Sequence, residues 1–124
     1  MTELKGYHAH VYYDGETKPL AAKLRQTMLD KFKCEPGAFS DAPIGPHPIS
    51  QFNITFEVPE FQNVVPWLML NREGLDVLTH PLTDDSVDDH SRYALWLGTP
   101  VPLKLETLRR SYRSELLPAT EGTL

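Results

Sequence analysis

Two short stretches alternate so strictly between apolar and polar side chains that they limit what this chain can fold into. In Tyr7 to Tyr13 (YHAHVYY), Ala9 and Val11 alternate with His8, His10 and Tyr12. In Ile49 to Val58, Phe52, Ile54, Phe56 and Val58 alternate with Gln51, Asn53 and Thr55. Neighbouring side chains on a strand point to opposite faces, so each stretch is predicted to be a strand with one buried face. The apolar sets line a covered face. The other face then collects imidazoles, a phenol, amides and a hydroxyl. A face that only meets solvent more often holds Lys, Glu and Thr, so this combination points to a ligand site.

The segments between and after these strands complete the pattern. Leu20, Leu24, Met28 and Phe32 recur at four-residue spacing, which predicts an amphipathic helix from about Lys18 to Lys33, opened by Thr17 and Pro19. Residues 34–48 hold four prolines and two glycines, so they read as a loop with at most a short strand near Ala38 to Ser40. A second helix is expected from Phe61 to Arg72, with Val64, Val65, Leu68 and Met69 on its stripe. Pro66 should start it late or kink it, because a mid-helix proline loses a hydrogen bond and clashes with the preceding turn. Leu75 to His80 and Tyr93 to Leu97 read as two more strands around an acidic turn, PLTDDSVDD. A last helix is expected from Leu103 to Leu116. The order β-α-(β)-β-α-β, then a strand and a helix, is that of a ferredoxin-like α+β sandwich with both main helices on one face of an antiparallel sheet. The first strand is then central, flanked by the strands from Ile49 and Leu75. At 124 residues the chain is expected to be a single domain.

This topology gathers the histidines. If the strand from Leu75 runs antiparallel to the first strand, its end at His80 falls next to His8. The hairpin that follows returns His90 and Arg92 to the same end. His47 joins only if the GPHP loop folds over the sheet. An HxH pair on a strand can give two imidazoles to one metal, since residues two apart point the same way; a packed or surface pair is the alternative. Asp84, Asp85, Asp88 and Asp89 are candidates for a carboxylate ligand, which with two imidazoles would make the arrangement of non-haem Fe(II) oxygenases. The alternative for each is a solvated acidic turn. Zinc takes the same ligand types, so the residues leave both metals open.

Composition removes other classes. The net charge is −5, from 17 acidic and 12 basic residues, with no basic stripe for a nucleic acid or an anionic membrane. No run approaches the roughly 20 apolar residues of a membrane span. The N-terminus does not read as a signal peptide, and the single cysteine, Cys34, has no internal partner, so a cytoplasmic setting is expected. Cys34 has no local catalytic signature and reads as a structural thiol. No GxGxxG, P-loop, CxxC, GxSxG or HExxH is present.

The segments YHAHVYYD, GPHPISQFNITF and VVPWLMLNREGLDVLTHPLTDDSVDDHSRYALWLG resemble the DOPA 4,5-dioxygenase family, and all five histidines fall within them. The resemblance implies a ferredoxin-like domain that cleaves a catechol ring beside its two hydroxyls with Fe(II) and O2, an extradiol-type reaction. L-DOPA is the prototype substrate, and other catechols are alternatives. On this resemblance His8, His10 and His80 are expected as metal ligands, with zinc able to replace iron in a purified sample. His47 and His90 are expected as acid/base or substrate-orienting groups. Tyr12, Gln51 and Asn53 would line the pocket. Arg92 would pair with a substrate carboxylate, or with Asp88 or Asp89 at the surface. A homodimer is expected, because an open polar sheet face of this fold is often completed by a second copy. Two rival readings are a non-enzymatic metal- or small-ligand-binding module with a closed zinc site, and a cofactor-free monooxygenase-like domain.

Overall fold

The computed structural model describes residues 2–108. Its elements are β1 (Tyr7–Tyr12), α1 (Lys18–Lys31), β2 (Glu35–Pro36), β3 (Gln51–Phe56), α2 (Phe61–Asn71), β4 (Val77–Pro81), the single helical turn α3 (Ser86–Asp89) and β5 (Leu95–Leu97). The strands form one sheet in the order β2-β3-β1-β4-β5, and each neighbouring pair is antiparallel. That is the ferredoxin-like α+β arrangement with β1 central, extended at one edge by β5.

Alternation accounts for the two faces. Ala9 and Val11 lie opposite Ile54 and Phe52 on β3, and opposite Thr79 and Val77 on β4. Ala21, Leu24 and Met28 of α1 and Val64 and Leu68 of α2 close over this face in one buried cluster. Each large apolar side chain buried there contributes about 1.5–3 kcal/mol. Both helices therefore take the apolar face, and the histidine face is left for other segments.

The helix ends follow local chemistry. Ahead of α1, the Asp14 carboxylate accepts the backbone N–H groups of Glu16 and Thr17 at 2.9 and 2.8 Å. Pro19 sits in the first turn, where a missing donor costs nothing. The helix stops at Lys31, two residues before the expected end, because Phe32 is extended and its ring packs edge-on against Trp67. Helix α2 runs through Pro66 without a late start. Pro66 removes the bond to the Gln62 carbonyl, but both residues are exposed, so water can serve that carbonyl.

Several short elements differ from the sequence expectation. The edge strand is Glu35–Pro36 rather than Ala38 to Ser40, and Ser40 instead bridges Gln51. Gly37 allows this close approach: its N–H donates to the Asn53 carbonyl at 2.8 Å, and a Cβ there would overlap the Asn53 amide. The acidic turn contains α3, capped by Asp85, whose carboxylate accepts the Asp88 N–H at 3.1 Å. β5 starts at Leu95 because the Tyr93 N–H is taken by the Asp88 carbonyl at 3.0 Å. In the region of the expected last helix, Leu105–Thr107 forms a 3-10 turn, and positions 109–116 lie outside the described residues. Cys34 is half-buried against the Met28 carbonyl. Among the described residues no helix is long and apolar enough to cross a membrane.

Candidate metal centre

Strand register builds the floor of the site. His8 lies opposite His80 across β1 and β4, while His10 lies opposite Leu78. These residues share the face turned away from the helices with Tyr12 and Gln51. Two irregular segments form the roof. Ile44 and His47 exchange backbone hydrogen bonds of 3.1 and 2.9 Å, a tight turn that folds His47 back over the sheet. At the end of α3, His90 comes in from the other side. Ring centroids are 4.2 Å apart for His10 and His47, 4.0 Å for His80 and His90, and 5.1 Å for His10 and His80. His8 is edge-on, 5.5 Å from His10 and 5.3 Å from His80.

The histidine face is closed, which corrects the expectation of an open one. His10, His47, His80 and His90 are each 2% exposed or less. The Ile44–His47 turn and α3 cover the face from within the chain, among the described residues.

Oxygen atoms around the rim orient the rings. His10 Nδ1 donates to the Gln51 amide oxygen at 2.8 Å, His80 Nδ1 to the Pro81 carbonyl at 2.8 Å, and His90 Nδ1 to the Ser86 carbonyl at 2.7 Å. Such outer contacts fix the tautomer and leave Nε2 able to ligate an ion. Asp89, fully buried beside His90, adds a second constraint. Its carboxylate accepts the Thr83 N–H at 3.0 Å and the Thr83 hydroxyl at 2.5 Å, tying the segment after β4 to α3.

The nitrogen set fits a metal ion. Two groups can each offer three nitrogens within 4.8 Å of one another: His8, His10 and His80, and His10, His47 and His90. Neither includes a carboxylate, so Asp84, Asp85, Asp88 and Asp89 do not supply the expected ligand among the described residues. His10 Nε2 and His80 Nε2 stand 3.0 Å apart. With both Nδ1 atoms protonated, two lone pairs face each other at that distance and repel unless a cation lies between them. That spacing is one that two nitrogens ligating the same ion would have, at metal–nitrogen bonds of about 2.1 Å. Nε2 of His47 and of His90 are also buried, with no hydrogen-bond partner among the described residues.

Electrostatics keeps these rings neutral, as ligation requires. Burial, then the neighbouring His47 and His80, holds His10 well below the usual imidazole range, and burial followed by His90 does the same for His80. Burial, then His90 and His8, lowers His47 to about 3. His90 is lowered by burial. Burial raises the Asp89 carboxyl.

The structure thus brings together all five histidines, with Gln51 and Tyr12 behind them. Tyr12 is buried, its hydroxyl 2.7 Å from His47 Nδ1 and its ring stacked on Trp96. Asn53 is opposite His10 in register, but its amide packs on Gly37. Arg92 is not brought to the cluster. It is exposed, with its Nε 3.9 Å from Asp88 and its guanidinium over Tyr93. Sequence reasoning missed Trp96, Thr83, Ser86 and the buried role of Asp89. Trp96 had a signal, since register opposite Leu78 places it on the histidine face. A separate pocket of about 480 Å³, lined by Tyr7, Phe61, Thr79 and Leu95, opens on the helix side. His80 borders it, yet alternation turns the imidazole to the opposite face.

Several known proteins resemble this chain. The chain is 31% identical over 118 residues to DOPA 4,5-dioxygenase of Amanita muscaria, covering 86% of this chain and 51% of that protein. It is 32% identical over 117 residues to an uncharacterised 21.2 kDa protein of Botryotinia fuckeliana, covering 84% of this chain and 63% of the other. It therefore spans only about half to two thirds of those relatives. The crystal structure of a "putative dioxygenase" from Nostoc punctiforme superposes with a TM-score of 0.82 at 44% identity, over 92% of this chain and 95% of that one. The Dopa 4,5-dioxygenase family profile matches residues 7–107, and the chain belongs to that family.

Proposed function

We propose that this protein is an extradiol-type ring-cleaving dioxygenase acting on L-DOPA or a related catechol with non-haem Fe(II) and O2. The observation that carries the reading is the convergence of His10 Nε2 and His80 Nε2 at 3.0 Å in a buried, nitrogen-only site, in a chain of this family. An Fe(II) ion held there would supply Lewis-acid orientation of the substrate and a route for electrons to dioxygen. The ring bond beside the diol breaks, and both atoms of O2 enter the product.

The chain's own residues divide the remaining work. His8, His10 and His80 sit on paired strands and would hold the ion. Gln51 and the Pro81 carbonyl keep two of those rings turned inwards. His90 keeps its Nε2 lone pair because its Nδ1 proton is committed to the Ser86 carbonyl, so it accepts the catechol proton. Its lowered pKa keeps it neutral and able to do so at neutral pH. His47 faces the same space from its loop and orients an oxygen atom bound there. Burial of the cluster excludes bulk water from the reacting ring.

Aerobic incubation of the Fe(II)-loaded protein with L-DOPA and with simple catechols is expected to show O2 uptake and a yellow ring-fission chromophore. No product from any catechol would sink the reading. His10→Ala is expected to lose both bound metal and turnover; turnover that survives the change removes His10 from the ligand set.

A further inference from the structure

The imidazoles of this site differ in the group that faces Nδ1, and the exception faces a phenol. His80 and His90 each point Nδ1 at a backbone carbonyl, and His10 points Nδ1 at the Gln51 amide oxygen. Those oxygens only accept. A neutral ring with its proton on Nδ1 has a bare lone pair on Nε2.

His47 is placed differently, because its Nδ1 faces the Tyr12 hydroxyl at 2.7 Å. Tyr12 is 2% exposed, and His47 Nδ1 is the only hydrogen-bond partner of its hydroxyl among the described residues. Two arrangements are open. If His47 Nδ1–H donates to the phenol oxygen, the phenol proton is buried without an acceptor and Nε2 is a buried lone pair without a donor. If the phenol donates to Nδ1, only the Nε2–H is left over, and it points towards the ring of His10, 4.2 Å away between centroids. Only the second arrangement gives the buried phenol proton an acceptor among the described residues, and a buried donor without one is costly. Tyr12 is itself held in place by β1 and by Trp96, so it cannot turn away to find another partner.

We propose that Tyr12 is a positioning residue: its hydroxyl donates to His47 Nδ1 and so makes His47 present an N–H to the metal site, where His10, His80 and His90 present lone pairs. His47 then has no nitrogen free to ligate, and the ion falls to His8, His10 and His80 rather than to His10, His47 and His90. The Nε2–H of His47 becomes a hydrogen-bond donor to an oxygen atom bound at the site. His90, 6.1 Å away between ring centroids, is the complementary acceptor. This deepens the proposed ring-cleavage role of His47 and rests on it only for the kinetic measurement below.

Long-range ¹H–¹⁵N correlation spectra of the full chain read each tautomer directly, with His47→Gln to assign the His47 signals. The expected result is His47 protonated at Nε2, and His80 and His90 protonated at Nδ1, in the metal-free protein. Added zinc should shift His10 and His80 and leave the His47 proton in place. In Tyr12→Phe, His47 should move to the Nδ1–H form or a mixture of the two. A His47 proton found on Nδ1 in the unaltered protein, or displaced from Nε2 by zinc, overturns the proposal. Those two spectra decide the matter even if Tyr12→Phe does not fold. With Fe(II) and a catechol that is turned over, Tyr12→Phe should lower kcat about 10- to 100-fold with KM unchanged. A rise in KM alone would mean that Tyr12 touches substrate, and would overturn the proposal. A protein that turns over no catechol loses the dioxygenase reading, while the spectra still place the proton.

Discussion

Packing His10, His47, His80 and His90 side by side, each 2% exposed or less, forces each ring to stay neutral in the metal-free protein. Burial is the main cause at all four, and neighbouring imidazoles add to it at His10, His47 and His80. The consequence for stability has a definite sign. An unfolded histidine titrates at about 6.5, above these folded-state values, so the unfolded chain binds more protons in between. This stabilisation is complete above about pH 6.5 and is lost as the pH falls through that value towards about 3, the value for His47. Asp14, Asp41 and Glu60, whose carboxyls are lowered, add acid sensitivity only near and below about pH 4, where unfolded carboxylates titrate. Asp89, raised by burial, works in the opposite sense but is one group against four. Urea denaturation of the metal-free protein at pH 7.5 and at pH 5 should therefore show a lower midpoint at pH 5. Equal midpoints would contradict neutral buried rings. At this scale the sequence was informative about residue type and silent about protonation, because a tautomer depends on the atom opposite each nitrogen.

At the scale of elements, the long periodic ones were legible and the short ones were not. β1, β3, α1 and α2 carry enough alternation or four-residue spacing to declare themselves. α3 is a four-residue helix, too short to show a period, and its signal is the cap from Asp85. Yet α3 decides where His90 goes, through the bonds from Asp89 back to Thr83. Thr83→Val keeps the shape and removes the hydroxyl, leaving the buried carboxylate with one donor. It should lower catechol turnover about 10- to 100-fold with zinc affinity unchanged, because α3 carries His90 rather than a residue assigned to hold the ion. Thr83→Ser should restore most of that turnover. Steady-state kinetics checks both, and an unchanged kcat in Thr83→Val would reduce the clamp to a folding role. Arg92 shows the same limit in reverse: two residues after His90 in sequence, it is turned to solvent once the helix ends.

Across the whole molecule, a bound ion would join β1 and β4 at His8, His10 and His80, so occupancy should stabilise the fold. At free zinc 100 times its Kd the gain is about 2.7 kcal/mol. Calorimetric Tm should rise on adding zinc at pH 7.5 and fall again with a chelator. No shift with zinc, cobalt or iron would mean that these nitrogens do not form an ion site. Read without coordinates, the sequence determined the sheet, its apolar and histidine faces, and the meeting of His8 with His80, because period-2 alternation and antiparallel register are local rules. Only the tertiary structure decided the roof over that face. His47 reaches the cluster through a non-periodic turn at Ile44–His47, whose Pro46 carbonyl is held by the N–H of Lys104 from far along the chain. Contacts between segments so distant in sequence leave no pattern in either one, and they place His47 beside Tyr12.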